Sequence, residues 1–208
     1  MLRAIDRWAF APEEDNVDEQ SRKYIAKYVE DLHSLVTHGL EPFSHQLGES
    51  ALRDHPETRQ AIEQFQATLE RHESRLNQRM QGLGTSPTTA VQDAAAAVAG
   101  VAAGLYNKVR TEAVSKSLRD DYAFLSLCSI SWLMLLTTAR SLGDHETEEL
   151  AEEGYRDTAR MAMQIDHLMP SLVVQELRQD KLPAQDESEW ARTIVQGAWN
   201  REVAGSRA

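Results

Sequence analysis

The chain has 208 residues, 41% of them apolar and 26% charged, which is the composition of a globular domain with a substantial core rather than of a disordered chain. Thirty-three acids against 22 bases give a formal charge of −11, so no basic stripe is available for nucleic acid phosphates or an anionic membrane surface. The single cysteine, Cys128, cannot form an internal disulfide, and the start MLRAIDRWAFAPEED has no apolar core of signal-peptide length, so a cytoplasmic protein is expected.

Residues 1–17 read as a polar arm anchored by Leu2, Trp8 and Phe10, ahead of a bundle over 18–180 and a C-terminal segment over 181–208. From Asp18 to Leu47, the residues Ile25, Val29, Leu32, Val36, Leu40, Phe43 and Leu47 recur every three or four positions, the spacing of one helix face. Pro42 predicts a local bend in that helix. GESALRDHPETR turns the chain, and Pro56 opens a second helix running to about Leu83. Its stripe is Ile62, Phe65, Leu69, Leu76 and Met80, which places Glu73 inside the apolar face and His72 on its edge.

Ser86 and Pro87 begin an alanine-rich stretch, TTAVQDAAAAVAGVAAGLYNKV, read as a short, closely packed helical connection. The run YAFLSLCSISWLMLLTTA, from Tyr122 to Ala139, has no charge and no helix breaker. It approaches the length of a membrane span. Its serines and threonines, Asp120 and Asp121 directly before it, and the absence of a Lys/Arg-rich flank favour instead the innermost helix of a bundle, buried on nearly all sides, so no membrane association is expected. Asp144 caps a last long helix with the face Leu150, Gly154, Tyr155, Thr158, Met161, Ile165, Leu168 and Leu172, and Pro170 should kink it near its end. Beyond Pro183, Trp190, Ile194, Val195, Trp199 and Val203 line one side of an amphipathic helix that either docks on the bundle or is exchanged in a dimer; Trp8, Phe10, Trp190 and Trp199 are the interface candidates.

The fold class is therefore all-α, a four-helix bundle with a short alanine-rich connection and a C-terminal amphipathic helix. The segments DLHSLVTHGLEPF, HESRLNQRMQGLG, SPTTAVQDAAAAVAG, DYAFLSLCSISWLMLLTTARSLGD and AEEGYRDTARMAMQIDHLMPSLVVQEL, spread over Lys27 to Leu177, resemble the YciE/YciF-like branch of the ferritin-like proteins. The resemblance implies a bundle that is often dimeric, commonly carries a dinuclear iron or manganese site and serves in stress responses. Such sites draw Glu and Glu-x-x-His ligands from the inner faces of four helices. At the matching places this chain has Val36 on the first helix, Leu125 and Cys128 on the third, and Asp157, Thr158, Ala159 and Arg160 on the fourth; His72 is the family residue that survives.

Glu30 and His33 form a Glu-x-x-His, but with the core face centred on Leu32 and Val36 the pair is expected at the rim, as are Gln164 and His167. His72, Glu73 and Asp157 remain as residual metal candidates, with Glu73 alternatively pairing with Arg160. No nucleophile elbow, phosphate loop or zinc-spaced cysteine set is present, and Cys128 lies in an apolar run that should leave its thiol unreactive. Catalysis is not expected. The leading expectation is a non-catalytic ferritin-like bundle without a cofactor, a homodimeric structural or interaction module whose protein partner is unknown. The alternatives are a metal-dependent oxidoreductase or iron- or manganese-handling protein with a reduced ligand set, and a carrier of a small apolar ligand in the space opened by the small residues between Ala94 and Gly104.

Overall fold

In the computed structural model, residues 17–85 and 113–205 are described, with side chains to residue 198. The arm with Trp8 and Phe10, the alanine-rich connection and the side chain of Trp199 lie outside the described residues. The described residues form five α-helices: α1 (Glu19–Gly48), α2 (Pro56–Leu83), α3 (Val114–Leu142), α4 (His145–Gln179) and α5 (Ser188–Gly205), with a 3-10 turn at Ala51–Asp54.

Each boundary has a local cause. The Asp18 carboxylate accepts from the Gln20 and Ser21 amides, satisfying two donors at the start of α1 that have no partner within the helix. α2 opens on Pro56 and closes at Gly84, whose φ of 77° permits the left-handed turn in which Thr85 N–H donates to the Met80 carbonyl. Gly143 closes α3 in the same way, and Asp144 then caps α4 through the Thr147 amide at 2.9 Å. Val114 opens α3 without a side-chain cap of its own, but Glu176 of α4 accepts from the Ser115 amide at 2.8 Å and from its hydroxyl. Pro42 and Pro170 are both accommodated inside continuous helices.

The contacts fix the topology. α1 meets α2 through Phe43 and Phe65, α2 meets α4 through His72 and Asp157, α3 meets α4 through Trp132 and Gly154, and α1 meets α3 through Gly39 and Phe124. Every one of these neighbouring pairs is antiparallel. The diagonal helices α2 and α3 therefore run the same way, and the end of α2 and the start of α3 lie at opposite ends of the bundle, the arrangement of ferritin-like folds. The aromatic centre of the core is Phe43, with Phe65 and Phe124 packed edge-on to it at 6.5 and 6.0 Å. Gly39 and Gly154 let the Phe124 and Trp132 rings lie directly on helix backbone: a Cβ at either position would stand 1.9 or 2.3 Å from the ring.

Two expectations are corrected. α3 is long and apolar enough to cross a membrane by length and composition, yet only 33% of its apolar window is buried, because α4 and α1 cover one face and leave Ile130 and Met134 about half exposed. It is a two-sided helix, not one buried all round. α5 docks on α4 with Ser188 buried and Ala191, Arg192 and Val195 half-buried; Arg192 Nε donates to the His167 carbonyl at 3.1 Å and its guanidinium also bonds Ser171, while Trp190 faces solvent at 65% exposure.

Candidate functional site

Halfway along the bundle, α2 and α4 bring together a polar cluster around a buried histidine. His72 is 1% exposed and its Nε2–H donates to Asp157 Oδ2 at 3.1 Å. Arg71 Nη2 donates to the same oxygen at 2.8 Å, and Arg160 lies 3.7 Å from the other. The Trp132 ring packs edge-on against the imidazole, with centroids 5.3 Å apart, while its own position is set by Gly154. Thr158, fully buried beside them, turns its hydroxyl back onto the Gly154 carbonyl.

The electrostatics follow from this packing. Burial pushes the His72 pKa below its ordinary value, an effect the hydrogen bond and charge of Asp157 only partly offset. Burial acts to raise Asp157, but the hydrogen bonds from His72 and Arg71 outweigh it and hold the carboxyl below its usual range. Asp157 is thus an acceptor, the Nε2 of neutral His72 carries the proton, and Nδ1 is left as a buried lone pair without a protein partner.

The helix geometry places His72 in the core and Glu73 at the rim, the reverse of their expected positions on α2. Glu73 turns toward α1, where its carboxylate lies 3.3 Å from His33 Nε2. His33 is itself buried rather than at the rim, because the contact band of α1 is broad enough to include His33, Ser34 and Leu35 beside Leu32 and Val36. Of the three residual metal candidates, His72 and Asp157 come together and Glu73 goes to a different neighbour. Arg160 pairs with Asp157, not with Glu73.

A dinuclear centre needs several hard anionic donors aimed at one point. At the inner positions stand Val36, Leu125, Cys128 and Thr158, all fully buried. Burial drives the Cys128 thiol far above its ordinary pKa, so it offers no thiolate. Among the described residues, no three His, Cys, Asp or Glu side chains converge as metal ligands, and the donor set does not fit a di-metal group.

Sequence reading missed the ladder that locks α2 to α4. Arg71, Arg75 and Arg79, four residues apart, meet Asp157, Glu153 and the Asp144–Glu146 turn. Arg79 is the buried rung: Nη2 lies 2.6 Å from Asp144 Oδ2, Nε 2.6 Å from the Thr147 hydroxyl and Nη1 2.6 Å from Glu146. The four-residue repeat of arginines facing acids was visible in the sequence; that it crosses between helices was not. At the opposite end, buried His55 bonds Gln175 Oε1 through Nδ1 at 3.0 Å, tying the α1–α2 turn to α4.

A four-helix bundle whose neighbouring helices are antiparallel and whose second and third helices run the same way has the helix arrangement of a ferritin-like fold. Residues 28–178 match the family described as "Domain of unknown function (DUF892)", and the chain belongs to that family. A protein from Xanthomonas campestris pv. campestris, known from its crystal structure, is similar at 21% identity and a TM-score of 0.63, over 78% of this chain and 99% of that one. That likeness is one of fold. No curated protein matches the sequence.

Proposed function

We propose that this chain is a non-catalytic member of the YciE/YciF-like ferritin-like proteins, a cytoplasmic homodimeric module for structure or protein interaction that has shed its di-metal site. The observation that carries this reading is the internal neutralisation at the centre of the bundle. Asp157 of α4, its side chain 14% exposed, is bonded to His72 and Arg71, and the inner positions of α1 and α3 are filled by Val36, Leu125 and Cys128. Filling a core with apolar side chains removes the desolvation cost that buried carboxylates impose unless a cation compensates them. A role in stress responses is what the family resemblance contributes.

A single observation favours the alternative, an iron- or manganese-handling protein with a reduced ligand set. His72 presents an unpartnered buried Nδ1 while a carboxylate holds its other nitrogen, which is how ligand histidines are oriented from behind. Metal analysis separates the two readings. Protein purified without chelators, then incubated anaerobically with ferrous iron or manganese and desalted, should retain only background metal. Two metals per chain would overturn the proposal, and loss of a stoichiometric metal in His72→Ala with helicity unchanged would establish the alternative.

A further inference from the structure

The uncovered side of α3 carries an apolar stripe. Ile130, Leu133 and Met134 are 51, 37 and 49% exposed, and with Thr137 they follow the i, i+3, i+4, i+7 spacing that stacks side chains on one helix face. No charged residue occurs between Tyr122 and Ala139. The hydroxyls at the two ends of the stripe are turned inward: Ser126 donates to the Tyr122 carbonyl and Thr137 to the Leu133 carbonyl, each at 2.8 Å. They leave little hydrogen-bonding capacity unsatisfied at the surface. By contrast, exposed Met163 on α4 stands within a turn of both Arg160 and Asp166 on its own helix. Isolated apolar residues of that kind are ordinary, whereas a continuous uncharged stripe marks an interaction surface.

We infer that this face of α3 joins two copies of the chain about a two-fold axis, α3 against α3, antiparallel. Charge selects the occupant. In a chain of net charge −11, most self-contacts bring acidic surfaces together, but this stripe meets its own copy without a charged side chain on either side. The stripe is also self-complementary. A two-fold axis crossing α3 between Ile130 and Met134 sets Ile130 of each copy beside Met134 of the other, and Ser126 across from Thr138. Short, internally bonded hydroxyl residues at both ends permit close approach, and antiparallel helices oppose their macrodipoles.

This inference rests on reading the chain as a homodimeric module, and the two are told apart by the stripe variants: a wild-type monomer sinks both, whereas a dimer that survives substitution of the stripe sinks this one alone. Sedimentation velocity on the full-length protein should give a dimer, and Ile130→Glu/Met134→Glu should halve the mass while leaving the helical circular dichroism intact. Should that variant fail to fold, Met134→Cys supplies an independent reading. A bis-maleimide should join its chains into covalent dimers and leave the wild type, whose Cys128 is fully buried, uncrosslinked. A wild-type monomer at all concentrations overturns the inference. So does a dimer that survives the double substitution, flotation of the wild type with neutral phospholipid vesicles, or protection of α3 from hydrogen exchange in a monomer, which would mean that the chain covers its own stripe.

Discussion

Arg79 of α2 and Asp144, the residue that both ends the α3–α4 turn and caps α4, form a buried ion pair at 2.6 Å, with their side chains 9 and 2% exposed. The same carboxylate accepts the Thr147 amide, and the same guanidinium reaches Thr147 and Glu146. One arginine thus holds the tip of the α3–α4 hairpin against α2.

Replacing Arg79 with Met should destabilise the fold by about 3 kcal/mol, because the substitution leaves Asp144 charged, buried and unpaired. Arg79→Lys should recover only part of the loss, since an ammonium cannot reach three acceptors in a fork. Urea unfolding followed by circular dichroism measures both. A midpoint for Arg79→Met within error of the wild type would show that the pair contributes nothing net.

Gly39 and Gly154 should resist enlargement. Alanine gains about 1 kcal/mol over glycine inside a helix, but here its methyl would meet the Phe124 or Trp132 ring far inside contact distance, and forced repacking costs about 1–3 kcal/mol. Gly154→Ala should therefore lower stability, and Trp132→Leu in the same chain should make the alanine nearly harmless. Additive effects of the two substitutions in a double-mutant cycle would refute the contact.

His72 predicts a pH dependence with a definite sign. Its native pKa is depressed below 6.5, so the unfolded chain takes up the proton first; the contribution of neutral His72 is complete above 6.5 and declines as the pH falls below it. Asp157, held below 3.8, adds stability that is lost only at still lower pH, as its own native value is passed. The melting temperature should fall between pH 7 and pH 5, and the fall should be shallower in His72→Gln. Parallel curves for the two proteins would mean that His72 does not titrate differently on unfolding.

The sequence by itself determined the helices and most of their ends. Apolar spacing marks the core lines of α1, α2 and α4, and Asp18, Pro56, Gly84, Gly143 and Asp144 act through backbone geometry and hydrogen bonds within a few residues, so local reading finds them. It also displayed the apolar replacements at Val36, Leu125 and Cys128. Only the tertiary structure decided which side of each helix was covered. Periodicity placed Glu73 inside the α2 face and His72 on its edge, whereas packing drew His72 into the core, where Asp157 of α4 and Trp132 of α3 receive it. Composition made α3 read as buried on all sides, yet burial depends on how a helix is surrounded, and α4 and α1 cover one side of α3, with α2 touching it where Trp132 meets His72. Hydrophobic spacing reports where a helix avoids water; which polar groups meet, and which apolar face is left for another surface, are set by contacts far apart in the chain.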